Sequence, residues 1–222
     1  MLRRKAISYI ENWVKTKDRK CLIVQGARQI GKTYVVERFG ADNYEELVEI
    51  NFKEMPSASE IFSGDLTVDK MVMALRFRFP EKKIIPGKSL IFLDEIQEVK
   101  NGIPSLKYFC ENKRDLHVVV AGSLLGISLR EEESFPVGKV DNLRMYPMTF
   151  DEFLIANGRD MLADCLKALD KEMLAPHHET LVEYLRQYYF VGGMPEAVLT
   201  WIETHDPSAT RKVQQSILST YN

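Results

Sequence analysis

The 222-residue sequence is poor in cysteine and contains no long apolar run. Its three cysteines, Cys21, Cys110 and Cys165, are far apart, odd in number and set among apolar residues. Disulfide frameworks and zinc sites use closely spaced sets of cysteines, so we expect reduced core residues in a cytoplasmic protein. No stretch of about 18 apolar residues occurs, and the N-terminal region lacks an uninterrupted apolar segment of signal length. We therefore expect neither a membrane span nor export.

The sequence also lacks an excess of charge of either sign. Its 30 Lys and Arg residues against 32 Asp and Glu residues give a formal net charge of −2 at pH 7. Bulk charge therefore does not indicate nucleic-acid binding, although binding through a local basic patch stays open. With 45% hydrophobic and 28% charged residues, the chain can bury a core like an ordinary globular protein.

Short apolar segments alternate with amphipathic ones through the first 147 residues. Five apolar segments predict strands, at 21–25, 47–52, 89–93, 116–121 and 140–146. Apolar residues at helical spacing predict helices at the start of the chain and at 32–39, 68–79 and 106–110. Gly40 is interpreted as the stop of the second of these helices. Strands that are hydrophobic on both faces and alternate with helices indicate an α/β fold with a mainly parallel sheet.

The pattern changes at Thr149, which forms a capping box with Glu152 and is followed by no convincing strand. Helices are predicted up to Gly158 and then over about 160–172, 178–190, 195–204 and 207–220. We therefore predict a core domain at 1–147 and a smaller helical domain at 148–222. The last predicted helix reaches the end of the sequence without a stop signal, so we expect the helical domain to be truncated at its C-terminal end.

The most specific motif is GARQIGKT, residues 26–33, between a predicted strand and a predicted helix. It has the glycine, lysine and threonine spacing of a phosphate-binding loop. Gly26 and Gly31 let backbone N–H groups turn towards phosphates, Lys32 can reach the β- and γ-phosphates, and the Thr33 hydroxyl can ligate Mg²⁺. A chance match is the alternative, but the flanking strand and helix argue against it. The predicted nucleotide-binding residues are Gly26, Ala27, Arg28, Gln29, Ile30, Gly31, Lys32, Thr33 and Tyr34.

A second motif, the acidic segment LIFLDEIQ at residues 90–97, is the element that a phosphate-binding loop requires downstream. A hydrophobic strand ending in an acid places Asp94 at the carboxyl edge of the sheet, where it can hold Mg²⁺ together with Thr33. Glu95 is then placed to orient and deprotonate the attacking water. Paired acids after a strand can also merely cap a loop, but the coupling to the phosphate-binding loop favours the catalytic interpretation.

Ser123 ends the apolar segment VVVAGS, residues 118–123. From that position it either contacts the γ-phosphate or the attacking water, or caps a turn. We include Ser123 with Glu95 and Lys32 as predicted catalytic residues. A strand lying between the phosphate-loop strand and the acidic strand would place the fold in the additional-strand, catalytic-glutamate division of P-loop NTPases. Glu95 and Ser123 support that division, and we predict it for this chain.

These blocks resemble the AAA-like ATPases of bacteria and archaea whose ATPase core is followed by a domain of unknown function. The segments YPMTFDEFL (146–154) and VGGMPEAV (191–198) are also similar to blocks of that family, and all the blocks occur in the same order. The resemblance covers essentially the whole chain and implies ATP binding, Mg²⁺-dependent hydrolysis and a helical segment after the core. Members usually continue beyond position 222, so the resemblance assigns no activity to that further region.

Other charged residues have a functional and a structural interpretation. An arginine that stabilises the transferred phosphate is expected, and Arg130 and Arg144 are the candidates. A solvated or ion-paired surface arginine is the favoured interpretation of each. Arg28 is expected to brace the loop rather than touch phosphates, and Lys139 stands where the family often has arginine.

Two short pairs are interpreted structurally. His177 and His178 are adjacent and lack a third ligand at zinc spacing, which favours a surface pair over a metal site. Gly192 and Gly193 predict a tight turn between helices, and the alternative is a hinge that responds to nucleotide.

Together, the motifs predict an enzyme that binds Mg·ATP and hydrolyses it to drive a conformational change. Two alternatives stay open: a nucleotide-dependent regulatory switch with little turnover, and a DNA-associated ATPase. Besides ATP, we expect a homo-oligomer or a protein partner, and we expect no membrane partner.

Overall fold

The computed structural model describes residues 2–64, 67–122, 136 and 138–221. Its five strands are β1 Cys21–Gln25, β2 Glu46–Asn51, β3 Ser89–Asp94, β4 His117–Gly122 and β5 Val140–Arg144. The helices of the first part are α1 Lys5–Lys15, α2 Lys32–Asn43, α3 Val68–Arg78 and α4 Gly102–Asn112. Those of the second part are α5 Phe150–Ala156, α6 Asp160–Ala168, α7 Lys171–Leu174, α8 His178–Val191, α9 Pro195–Thr204 and α10 Pro207–Ser219. Short 3₁₀ turns lie at Pro56–Phe62, Ile96–Glu98 and Ala175–His177.

The strands form one sheet in the order β2-β3-β4-β1-β5, and every pairing is parallel. This confirms the predicted α/β fold with a parallel sheet. Since β4 lies between β1 and β3, the intervening strand of the additional-strand division is also present. Every residue of β3 and β4 is buried, which explains their uninterrupted apolar sequences.

The chain divides into two compact units by its contacts. The first comprises Ala6–Arg28 and Lys32–Met145 and contains the sheet. Its core packs strand residues such as Ile23, Ile91 and Val120 against Phe109 and other helix residues. All three cysteines of the chain are free. Cys21 and Cys110 lie buried in this core, whereas Cys165 is only partly buried and is not the core residue that we expected.

The second unit comprises Met1–Lys5, Gln29–Gly31 and Tyr146–Asn222. Its core is built around Phe153, with Met148, Val191, Ala197 and Val198. The capping box of Thr149 and Glu152 is present at the start of α5, as predicted.

Two predicted helix ends were wrong. The helix α2 continues through Gly40 to Asn43, so this glycine is not a stop. A Cβ at Gly40 would lie 2.9 Å from a methyl carbon of Leu47, which shows that the glycine serves close packing of α2 on the sheet. The helix predicted at 160–172 ends at Ala168, because Leu169 turns into the left-handed region with φ of 53°.

Among the described residues, no helix combines the length and the apolar character that a bilayer crossing requires.

Candidate functional site

The loop between β1 and α2 is shaped by three residues with positive φ. Gly26 has φ of 152°, Gln29 of 62° and Gly31 of 83°. Glycine adopts such angles without a steric penalty, and left-handed residues are what backbone anion-binding nests require. Gln29 adopts its angle at a cost of order 1 kcal/mol, the kind of strain found at functional sites. The loop therefore has the local conformation that the glycine spacing predicts.

Lys32 begins α2 and is buried despite its charge, with 7% of its surface exposed. Its ammonium donates hydrogen bonds to the carbonyl oxygens of Gly26 at 3.0 Å and Ala27 at 2.8 Å. Burial lowers the pKa of this ammonium, while the negative charges of Glu95 and Asp94 oppose the shift. The cation is thus held against the first residues of the loop, where phosphate oxygens would compete for it.

Thr33, in the first turn of α2 after β1, and Asp94, at the end of β3, are brought together at one edge of the sheet, although β4 lies between the two strands. The Thr33 hydroxyl donates to Asp94 Oδ2 at 2.8 Å, and the backbone N–H of Glu95 donates to Asp94 Oδ1 at 2.9 Å. Burial raises the pKa of the Asp94 carboxyl, and the hydrogen bonds from Thr33 and Glu95 oppose that shift. A hydroxyl and a carboxylate side by side are hard oxygen donors, the ligand chemistry that Mg²⁺ prefers. The residues present therefore fit the metal that the loop motif implies.

Glu95 lies in the left-handed region with φ of 54°, directly after β3. Its carboxylate accepts a hydrogen bond from the Lys53 ammonium at 2.8 Å and another from the Gln97 amide. Burial alone would raise the pKa of Glu95, but these two hydrogen bonds and the charges of Lys53 and Lys32 together lower it. Glu95 is therefore ionised at neutral pH and held by an ion pair.

Sequence reasoning missed Lys53, because no local pattern points to it. Asn51 at the end of β2 pairs with Asp94 at the end of β3, and Phe52 N–H donates to the Asp94 carbonyl at 3.1 Å. The residues after β2 therefore lie beside the acidic motif, which only the strand order reveals.

Glu49 on β2 is a second residue that the sequence did not single out. Burial and the nearby charges of Glu37 and Asp94 raise the pKa of Glu49 to about 7. Glu37 of α2 and Asp94 of β3 thus add negative charge near Glu49 of β2.

The remaining predicted residues lie at the edge of this arrangement or outside the described part. Arg28 and Tyr34 are exposed, and Arg144 ends β5 in register with Gln25, the residue before the loop. Lys139, which stands where the family often has arginine, forms an ion pair with Glu111 at 3.0 Å. Ser123 and Arg130 lie outside the described residues.

Both histidines of the His177 and His178 pair are exposed. Within the described ranges, no group of three or more His, Cys, Asp or Glu side chains could hold a metal ion. Gly192 ends α8 with φ of 75°, and Gly193 packs against the backbone of Met148. These contacts favour a structural turn at the glycine pair.

The parallel sheet with β4 between β1 and β3, the loop after β1 and the acidic pair after β3 define an additional-strand P-loop NTPase fold. Residues 18–154 match the family described as AAA domain. Because the match covers more than half of the chain, the protein belongs to this family, and the resemblance to AAA-like ATPases is confirmed. It is therefore a nucleotide-binding protein of the AAA ATPase class.

The chain is also similar to solved structures at low sequence identity. The Walker-type ATPase PABY2304 of Pyrococcus abyssi is 13% identical with a TM-score of 0.59, and the match covers 100% of this chain and 73% of that one. The Orc1 protein of Aeropyrum pernix, solved in complex with DNA, is 19% identical with a TM-score of 0.44 and coverage of 78% and 50%. Cdc6p of Pyrobaculum aerophilum is 15% identical with a TM-score of 0.40 and coverage of 74% and 49%. The chain thus spans about half the length of the latter two proteins. A comparison with curated proteins finds no match.

Proposed function

We propose that the protein is a Mg²⁺-dependent ATPase that hydrolyses ATP to ADP and phosphate. The observation that carries this proposal is the contact of 2.8 Å between Thr33 of the loop and Asp94 of the acidic motif, with Glu95 next in the chain. Thr33 and Asp94 would hold Mg²⁺, which supplies charge neutralisation at the β- and γ-phosphates when bound. The loop residues Gly26 to Tyr34 would bind the nucleotide.

Each step assigns a task to this chain's own residues. Backbone N–H groups of the loop bind phosphate oxygens, and the Lys32 ammonium neutralises the charge that develops on them. Glu95 accepts a proton from water as the water oxygen bonds to the γ-phosphorus. The bond from that phosphorus to the β–γ bridging oxygen breaks, and ADP leaves. A residue after β4, the predicted Ser123, would contact the γ-phosphate or the water.

A second function is favoured by the ion pair between Glu95 and Lys53. While the Lys53 ammonium is hydrogen-bonded to the Glu95 carboxylate, that carboxylate is less available to accept a proton from water. The chain could then act as a nucleotide-dependent switch that binds ATP tightly and turns over slowly until a protein partner or a second copy changes this contact. In both functions the energy of the nucleotide is used to move the helical domain, predicted at 148–222, against the core.

The test is Mg²⁺-dependent phosphate release, measured in parallel with nucleotide binding by calorimetry. An ATPase predicts turnover by the wild type, loss of binding in Lys32→Ala, and binding with turnover reduced by about 10²-fold or more in Glu95→Gln. Glu98→Gln is the matched control, because Glu98 lies on the same turn and is 3.8 Å from the same Lys53 ammonium. Binding with slow turnover that Glu95→Gln leaves unchanged would favour the switch. Absence of nucleotide binding by the folded wild type would refute both.

The same assay separates the DNA-associated alternative. DNA added to the wild type should then stimulate phosphate release, and the stimulation should weaken steeply as salt rises, because phosphate contacts release counterions.

A further inference from the structure

Arg4 lies 22 residues before Gly26, the first residue of the loop motif, yet its guanidinium contacts the loop. Its side chain is 5% exposed and therefore almost fully buried. One terminal nitrogen, Nη1, donates to the Ile30 carbonyl at 2.7 Å, and the other, Nη2, donates to the Tyr146 carbonyl at 2.7 Å. The third nitrogen, Nε, donates to Glu152 Oε1 at 3.2 Å. The guanidinium thus uses each of its nitrogens on a different partner.

The bond to Ile30 has a consequence for Gly31. In a planar trans peptide the carbonyl and the following N–H point in opposite directions, so fixing the Ile30 oxygen also fixes the direction of the Gly31 N–H. Gly31 is the second glycine of the GARQIGKT motif. The backbone N–H groups of such a loop must face the phosphates. We propose that Arg4 is a positioning residue, which orients the Ile30–Gly31 peptide so that the loop is preorganised for phosphate.

Glu152 holds the arginine in place. Its Oε1 also accepts from the backbone N–H of Lys5 at 2.7 Å, and its Oε2 accepts from the N–H of Thr149 at 2.9 Å. The second of these is the capping-box contact at the start of α5. One buried carboxylate therefore anchors both the helix start and the arginine that reaches the loop.

Close packing around Gly31 leaves little freedom for the peptide to turn. A Cβ at Gly31 would lie 3.7 Å from Arg4 Nη1 and 3.8 Å from Pro195 Cγ, so both groups contact the loop on the same side. Without the guanidinium, the Ile30 carbonyl loses its partner in a buried place and the peptide can rotate to find another. A rotated peptide would aim the Gly31 N–H away from the phosphates.

A purely structural role makes a different prediction. If the ion pair of Arg4 and Glu152 served only stability, its removal should lower the thermal midpoint. Nucleotide binding should then weaken only in proportion to the fraction of protein that is unfolded. Orientation of the peptide should instead change phosphate affinity in a protein that is still folded. The inference rests on the proposed nucleotide site and extends it to residues outside the motif.

The experiment compares three variants with the wild type. Arg4→Lys keeps the positive charge, but a single ammonium nitrogen cannot reach the three acceptors that the three guanidinium nitrogens contact. The double variant Arg4→Met with Glu152→Gln removes both buried charges together. The amide oxygen introduced by Glu152→Gln can still accept the capping-box hydrogen bond from the Thr149 N–H, so the start of α5 keeps its cap. Lys5→Met is the matched control. It removes the neighbouring ion pair, in which the Lys5 ammonium lies 2.7 Å from the Asp151 carboxylate in the first turn of α5. This ion pair does not include a residue of the loop.

Dissociation constants are measured for Mg·ATP and for inorganic tripolyphosphate, well below the thermal midpoint of each variant. We expect the constants for both ligands to rise by about 10- to 100-fold in the double variant, the size of one lost charge-assisted hydrogen bond. A smaller rise is expected in Arg4→Lys, and none in Lys5→Met. Parallel losses for both ligands would show that the phosphates, and not the base, lose their contacts.

Wild-type dissociation constants in folded Arg4 variants would overturn this inference and leave the proposed function standing. Equal losses in Lys5→Met and the double variant would also overturn it, because they would indicate a general effect on the N-terminal segment. A folded wild type that binds neither ATP nor tripolyphosphate would refute the proposed function itself, and this inference with it.

Discussion

At the scale of single residues, the contacts of Glu95, the proposed general base, determine its charge and its position. Its left-handed backbone turns the chain directly after β3, and the carboxylate faces the ammonium of Lys53. The ion pair is partly shielded, since the Glu95 side chain is 18% exposed and that of Lys53 is 44% exposed. Such a pair both lowers the pKa of the base and fixes its position, so its removal should alter turnover in a direction that can be measured.

We predict that Lys53→Met shifts the acidic limb of the kcat profile to higher pH. The reason is that the hydrogen bond and charge of Lys53 lower the pKa of Glu95, so their loss raises that pKa. The base then stays protonated up to a higher pH, and activity is lost earlier as pH falls. The measurement is kcat for ATP between about pH 5 and pH 9.

Glu98→Gln is the control for this prediction, because it leaves the pair of Lys53 and Glu95 intact. An acidic limb that stays in place in Lys53→Met would mean that Glu95 does not govern it. Turnover at high pH gives a second result: a rise relative to the wild type would support the switch, in which Lys53 competes with water.

The residues of the site differ in how far the sequence could reveal them. The loop residues and Asp94 follow from local patterns, because a glycine spacing and the end of an apolar strand are visible in a few consecutive letters. Lys53 and Arg4 could not be found this way. Their contacts depend on β2 lying beside β3 and on a guanidinium reaching across more than twenty residues of chain, which are tertiary facts.

At the scale of elements, the strands were predictable because they are buried on both faces. The apolar segment predicted at 89–93 became β3, Ser89–Asp94, with every residue buried. Helix ends were harder, because a glycine can end a helix or permit close packing. Gly40 does the second, and its neighbour across the contact is the side chain of Leu47.

The glycine pair before α9 offers a test of close packing. A Cβ at Gly193 would lie 2.3 Å from the Met148 oxygen and 2.9 Å from the Met148 nitrogen. Both are backbone atoms with partners of their own: the Met148 N–H donates to the Gly193 carbonyl at 2.6 Å, and the Met148 carbonyl accepts from the Tyr188 hydroxyl at 2.7 Å. We predict that Gly193→Ala lowers the free energy of unfolding by about 2–3 kcal/mol, measured by urea denaturation.

Gly40→Ala is the matched control for this change. Its Cβ would meet only the ends of the flexible side chains of Leu47 and Leu90, and alanine in a helix gains about 1 kcal/mol over glycine. We expect a net change within about 1 kcal/mol. A Gly193→Ala protein as stable as the wild type would contradict the packing argument and favour a hinge at this pair.

At the scale of the whole molecule, strand order assembles the site. In a parallel sheet the carboxyl ends of adjacent strands meet at one edge, and β1, β4 and β3 are neighbours. The loop after β1 and the acidic pair after β3 therefore converge although some 60 residues separate them in sequence, as the contact between Thr33 and Asp94 shows. The intervening β4 was expected from Glu95 and Ser123, but no local signal could give the full order of five strands.

Ligand linkage provides the test at this scale. A nucleotide that binds the folded state alone stabilises it by about 2.7 kcal/mol at a concentration of about 100 times its dissociation constant. For a chain of about this length, each kcal/mol raises the thermal midpoint by about 2–4 °C, so we expect a rise of about 5–10 °C with Mg·ATP. Differential scanning fluorimetry measures it.

Two variants test whether this stabilisation comes from nucleotide bound at the loop. Glu95→Gln should show the full rise, because a general base contributes to the chemical step and little to binding. Lys32→Ala should show almost none, since the ammonium that Gly26 and Ala27 now hold would no longer be available to the phosphates. Equal rises in the wild type and Lys32→Ala would place the nucleotide elsewhere on the molecule and would contradict the phosphate-binding role of the loop.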